Sequence, residues 1–256
     1  MGQNIFPFFK SAYSIGRSIL TLEHPDNVED SGPDSVFSLA KSRPDDRHFL
    51  VEDSISGIME ALVNAEKTKT KLTFGLRLTH LEDAKDKSED SLKKESKIVI
   101  LMNGPKAYED LVRISTLAAK DGFYYQPRVD DSMLKSVGVG NLSLVVPFYD
   151  SYIHRNNLES ATCVPSFLNL FNEVFYAKED NDLPLDVLIS GLVDKTVQGS
   201  SNASLIQTQS IYYGTSDDYL AYLSFRCIHN RTALQKPNLD HMSSDSFSFE
   251  NYESKT

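Results

Sequence analysis

Short apolar runs alternate along the chain with segments of helical period, a pattern that predicts strands and helices in turn and so an α/β architecture. Strands are expected near Phe49–Val51, Leu72–Leu78, Ile98–Met102, Leu142–Val146, Leu185–Ile189 and Leu205–Tyr213. Between them, Ile58, Leu62 and Ala65 form one helical stripe that Ser54 or Ser56 could cap. Pro105 opens a second helix through Tyr108, Leu111, Val112 and Leu117. Pro165 opens a third, carrying Phe167, Leu168, Phe171 and Phe175, and Asp217 or Asp218 caps a fourth through Leu220, Leu223, Cys227 and Ile228. This alternation leaves an open doubly wound parallel sheet or a closed barrel. No GxGxxG and no GxxxxGK[ST] follows a strand, so the phosphate-cradling loops of nucleotide-binding open sheets are missing and a barrel is the better expectation.

The polar stretches set the organisation. Glu82–Lys97 holds six acidic and five basic residues with Leu92 its one large apolar side chain, and it reads as a charged surface loop. The Ser/Asp-rich segment 243–256 reads as a flexible tail, and the whole of 1–256 as a single domain. Hydrophobic residues make up 40% of the 256, enough for a core that needs no staple. The net charge of −10 repels phosphate backbones, which disfavours direct nucleic-acid binding. Cys163 and Cys227 have neither a CxxC nor a Cys/His spacing, so they are expected to be buried free thiols in a reducing compartment. No membrane-length apolar run and no secretory leader is found, so a cytoplasmic protein without a membrane partner is expected.

Candidate chemistry is sparse. The histidines, His24, His48, His80, His154, His229 and His241, are never closer than 12 residues, which excludes a local metal motif. Glu52 and Asp53 follow a strand and precede a helix, where they could cap it or meet a metal. Asp150 and His154 are spaced to face one another on a helix, as an ion pair or as two ligands. Tyr124, Tyr125 and Arg128, within Gly122-Phe-Tyr-Tyr-Gln-Pro-Arg-Val-Asp130, could offer a stacking surface with an anion-binding guanidinium, or could be a packed rim with Arg128 held by a carboxylate.

That last segment, with Ile98-Val-Ile-Leu-Met-Asn-Gly-Pro-Lys-Ala-Tyr-Glu-Asp-Leu-Val-Arg-Ile-Ser-Thr-Leu-Ala118 before it, resembles the PHP (polymerase and histidinol phosphatase) domain of bacterial DNA polymerase III alpha subunits. Lys10-Ser-Ala-Tyr-Ser-Ile-Gly-Arg-Ser-Ile-Leu is similar to the family's opening HxHSxYS segment, and Phe49-Leu-Val-Glu-Asp-Ser-Ile-Ser-Gly57 to its LTDHG turn. Leu72–Leu78 resembles its IIGxE strand, Gln209–Tyr212 its NDxHY strand and Asn238–Phe249 its exit toward the polymerase region. The resemblance implies a distorted seven-stranded (β/α) barrel, PHP-like and TIM-barrel-related. It also implies a divalent metal cluster of Mn, Zn or Fe that hydrolyses phosphoesters.

The resemblance places the ligand positions on Phe8 and Lys10, on Glu52 and Asp53, on Arg77, on Lys97, on Pro147 or Phe148, and on Gln209 and Ile211. Apolar and cationic side chains there are unfavourable to a hard cation. The expectation is a degenerate site with no metal or other cofactor, no catalytic residue, and Lys10, Arg77 and Lys97 paired internally with Glu52 or Asp53. The chain would then be a non-catalytic module in DNA replication, a pseudoenzyme whose partners are a polymerase, exonuclease or clamp. It holds no polymerase palm, and could be a separately encoded accessory protein, as in a compact viral genome, or part of a longer polymerase. The alternative is a metal-dependent phosphoesterase or 3′–5′ exonuclease built on Glu52, Asp53, His80, Asp150 or His154.

Overall fold

The computed structural model describes residues 5–29, 31–199, 203–234 and 244–256. The alternation read from the pattern holds: helices and strands follow one another throughout, and the fold is of the α/β class. Two compact units divide the chain, each built from discontinuous segments.

The first unit comprises Met1–Phe74, Glu179–Asp186 and Gln207–Thr256. Its sheet centres on β1 (Ile5–Phe9), flanked by β2 (His48–Glu52) and by the latter part of β8 (Ala203–Ile211), all parallel. Register pairs Phe8 with Phe49 and with Ser210, and Phe9 with Leu50 and with Ile211. Laterally paired side chains share a face, so this register sorts the whole set. One face carries Phe8, and the other carries Phe9, Gln209 and Ile211. The second face is covered by α8 (Phe249–Lys255), whose Phe249 ring stacks on Phe9 at 5.8 Å. Around this sheet pack α1 (Val36–Ala40), capped by Ser35, and α2 (Ile58–Thr68). With them lies α7 (Tyr219–Asn230), which follows a capping box of Thr215 and Asp218.

The second unit comprises Gly75–Lys178 and Val187–Ile206. Its strands run in the order β7 (Val174–Lys178), β6 (Leu142–Val146), β4 (Ser96–Met102), β3 (Leu72–His80), β5 (Arg128–Val129). β4 is antiparallel to both neighbours, pairing His80 with Ser96, Thr79 with Lys97 and Val99 with Val145. An all-parallel arrangement is therefore corrected. Helices α3 (Ala107–Lys120), α4 (Asp131–Val137) and α5 (Tyr152–Leu158) pack here, with most of α6 (Asp186–Gln198).

Three expected elements differ. Leu185–Ile189 is the start of α6, since the run continues at helical spacing through Val193. The Pro165 segment makes only a short 3-10 turn, Ser166–Leu170, before the chain extends into β7. Helix α2 begins after Gly57, with no side-chain cap from Ser54 or Ser56. Segment 82–97 is not a solvated loop throughout: Glu89–Lys94 forms a 3-10 helix, Ser96 and Lys97 open β4, and Ala84, Ser91 and Glu95 are buried. The described part of the tail, from Ser244, is also ordered, with Phe247, Phe249 and Tyr252 buried. Asn238–Ser243, His241 among them, lie outside the described residues.

Candidate functional site

In the first unit, β1 ends by delivering Lys10 into a buried setting, where its ammonium donates to the Val51 carbonyl at 2.8 Å and to Asp53 Oδ1 at 3.1 Å. A buried ammonium requires such partners, and a carboxylate spent on it is no longer a free ligand. Phe8, two residues earlier, packs its ring against Phe49 at 5.2 Å and offers no donor atom.

Glu52 has a different role from the one expected. It is fully buried, and Ser11 donates to its Oε1 from both backbone (2.8 Å) and hydroxyl (2.6 Å), while Ser14 donates to Oε2. Burial raises the Glu52 carboxyl above the ordinary range, with Lys10 and the serines working against the shift. It neither caps a helix nor faces an open site.

Gln209 and Ile211 are also corrected. They occupy the face opposite Phe8, so the three cannot converge on one ion. Ile211 is wholly buried, and the Gln209 amide donates to Asn181, to the Ser246 carbonyl at 2.9 Å and to the Ser210 carbonyl at 3.2 Å. The residues that do share the Phe8 face are Thr208 and Ser210. Both bind Glu179, which sequence reasoning missed. Its Oε1 accepts from Thr208 Oγ1 (3.3 Å) and Ser210 Oγ (2.9 Å), and its Oε2 from the Ser210 amide (3.1 Å) and Asn181 Nδ2 (2.8 Å). Burial pushes this carboxyl upward despite those four bonds. It lies just beyond β7, and the aromatic spacing that disguised that strand as helix hid Glu179 as well.

In the second unit, the β3–β4 register sets Arg77, Thr79, Lys97 and Val99 on one face. Arg77 forms an ion pair with Asp150, and Lys97 donates to Thr79 Oγ1 at 2.6 Å and to Gln126 Oε1 at 2.7 Å. The Lys97 amide meets the Asp150 carbonyl at 2.8 Å, and Asp150 holds a left-handed backbone, φ 61°. Arg77 and Lys97 thus share one cluster with Asp150. Phe148 is buried beyond the end of β6, edge-on to Tyr149 at 4.9 Å.

Asp150 lies outside α5, which Ser151 caps, so it does not sit one helical turn from His154. One ligand atom from each of Asp150, His154 and Glu159 nevertheless falls within a 4.8 Å span. Arg77 neutralises Asp150 and Arg155 binds Glu159 at 2.9 Å, so the cluster is charge-balanced without an ion.

Arg128 is no anion site. Fully buried, it donates from Nε to the Gly122 carbonyl, from Nη1 to Ser91 and Glu95, and from Nη2 to the Ala84 and Asp86 carbonyls, all between 2.8 and 3.2 Å. Every donor is used, which matches the packed-rim reading, with Glu95 in place of Asp130 as the carboxylate. Tyr124 lies over the guanidinium at 4.9 Å, and Tyr125 is 78% exposed. Cys163 and Cys227 are both buried, and neither is in a disulfide. Among the described residues, no helix is long and apolar enough to cross a membrane.

No protein-family model matches the chain. Over 145 residues it is 30% identical to the DNA polymerase III subunit alpha of Aquifex aeolicus (strain VF5), a stretch that is 53% of the chain and 12% of that protein. The chain therefore spans a small part of this relative's length, and the likeness supports a domain related to part of it.

Proposed function

We propose that this protein is a PHP-like module of the polymerase III alpha kind whose metal cradle has been converted into ion pairs, and that it acts in DNA replication as a structural or protein-binding part. One observation carries the reading: Lys10, at a position the resemblance assigns to a metal ligand, is buried with its ammonium bound to Val51 and Asp53. In the second unit Arg77 pairs with Asp150 rather than with Glu52 or Asp53, and Lys97 is bound by the neutral groups of Thr79 and Gln126. The residues at these positions do not fit a divalent cation. Phe8 has no lone pair, and within the second unit Arg77 and Lys97 raise the electrostatic cost of a further cation.

The likeness to a polymerase III alpha subunit supports replication as the setting. The partner is then a polymerase, clamp or exonuclease, and net charge −10 argues against DNA itself. Two measurements test the reading. Elemental analysis after incubation with Mn²⁺ or Zn²⁺ and desalting should find well under one equivalent. A full equivalent, with phosphodiester hydrolysis that Asp150→Ala abolishes, would replace this reading with the phosphoesterase one. Size-exclusion chromatography with purified replicative polymerase, clamp and exonuclease should show one stable complex, and failure with all three sinks the interaction role.

A further inference from the structure

At the end of the β3–β4 pair, two buried polar atoms have no hydrogen-bond partner among the described residues: His80 Nδ1 and Ser96 Oγ. They belong to residues directly opposed in the antiparallel register, whose side chains project to the same face. His80 and Ser96 are only 1% and 2% exposed, so bulk water does not serve either atom. Orphaned buried polar atoms are uncommon, and two on one cross-strand pair call for a shared explanation.

Their chemistry is complementary. His80 Nε2 lies 2.9 Å from Asp131 Oδ1. The His80 bond, with a further one from Ser166, holds the Asp131 carboxyl below its ordinary range, so it is an ionised acceptor and Nε2 carries the proton. In the neutral ring, Nδ1 is then a lone pair that needs a donor, and Ser96 is a hydroxyl that needs an acceptor. The Phe167 ring, 4.5 Å from the imidazole and edge-on, closes the site from the Ser166–Leu170 turn.

We propose that the Ser96 hydroxyl serves His80 Nδ1 through one internal water, completing a relay Ser96–water–His80–Asp131–Ser166 that latches the Ser166–Leu170 turn and the start of α4 onto β3 and β4. The order of groups is that of a nucleophilic triad, but Ser96 is sealed from substrate, so the relay positions structure and performs no chemistry. It goes beyond the functional reading above and does not depend on it.

Long-range ¹H–¹⁵N NMR on the full chain tests it. His80 should be the Nε2–H tautomer, with Nδ1 resonating as a hydrogen-bonded acceptor. Ser96→Ala should move that resonance to the value of a free acceptor and speed amide exchange across residues 166–170 about fivefold. Ser96→Thr, which keeps the hydroxyl, should preserve both. A cross-peak from the ring to a slowly exchanging water is expected, and its absence overturns the bridge. An Nδ1–H tautomer, or an Nδ1 resonance unchanged in Ser96→Ala, overturns the proposal.

Discussion

Glu179 rests a buried carboxyl on four neutral donors: two hydroxyls, one amide and the backbone N–H of Ser210. Its carboxyl is raised by burial, so the unfolded chain gives up this proton at a lower pH than the folded one. The associated stability is fully present below the unfolded pKa and is lost as pH rises through the folded value. Glu179→Gln removes that loss. A glutamine oxygen can accept from Ser210 N–H and Asn181, while its NH₂ donates to the Thr208 and Ser210 oxygens. Thermal unfolding should show Glu179→Gln more stable than the parent by about 1 to 3 kcal/mol at alkaline pH, with no gain at acid pH. A uniform loss at every pH would mean that the charge itself is structural. Such a residue is invisible in the sequence, because nothing local to Asp180-Asn-Asp182 announces that Glu179 meets Thr208 and Ser210 across the fold. Lys10, Arg77 and Lys97 were legible as misplaced cations, but Gln209 and Ile211 could not be sorted to a face without the register, which a one-residue shift reverses.

The clearest element-scale device is the pinning of segment 84–95 by Arg128, the first residue of β5. Its five donors reach Ala84, Asp86, Ser91, Glu95 and Gly122, so one side chain orders a stretch whose composition could not order itself. Arg128→Met should cost about 3 to 5 kcal/mol, because it leaves the Glu95 carboxylate and three carbonyls buried without their donor. Arg128→Lys should recover only part of that, as an ammonium lacks the planar fork. Chemical denaturation gives the magnitude, and hydrogen exchange should speed up first across residues 84–95. Gly122 belongs to the same device. A Cβ there would lie 2.0 Å from the Arg128 carbonyl oxygen, so Gly122→Ala should destabilise by about 1 to 3 kcal/mol through displaced backbone, read by the same denaturation. Charge counting described 82–97 correctly as polar and mostly exposed, and missed that Ala84, Ser91 and Glu95 turn inward toward Arg128. Periodicity failed similarly at β7: Phe167, Phe171 and Phe175 stand at helical spacing, yet the chain extends from Val174, where Val174 and Tyr176 alternate to pair with Leu144 and Val146. β6 and the main span of α3, with unambiguous period and length, were legible outright.

For the whole molecule, the buried and part-buried carboxyls of the two units are shifted in opposite senses. The first holds Glu52 and Glu179, both raised by burial, together with Asp34, raised by burial and by Asp218. The second holds Asp131, lowered chiefly by its His80 bond, and Asp130. Burial would lift Asp130, but the hydrogen bonds from Ser132, Met133 and Ala84 outweigh it. Raised carboxyls lose their stabilisation as pH rises through the folded values, and lowered ones lose theirs as pH falls through the folded values. Glu250, in the first unit, is lowered too, but it is solvent-exposed and screened, so it does not change the balance. Among the carboxyls, the stability lost as pH rises therefore belongs to the first unit and that lost as pH falls to the second. His48, lowered by burial, adds an acid-side loss to the first. Tyr152 and Tyr176, raised by burial, add an alkaline-side loss to the second, and repulsion from the net charge of −10 adds to the alkaline side. Hydrogen exchange followed by mass spectrometry across pH, corrected for intrinsic rates, should show protection lost first around Ser11–Ser14 and Thr208–Ser210 on the alkaline side. On the acid side it should be lost first around Ala84 and the start of α4. Asp131→Asn should raise the acid limit of the second unit and leave the alkaline behaviour of the first unchanged. Simultaneous loss of protection in both units at both extremes would mean that they unfold as one cooperative body, and that these carboxyls do not set its limits separately.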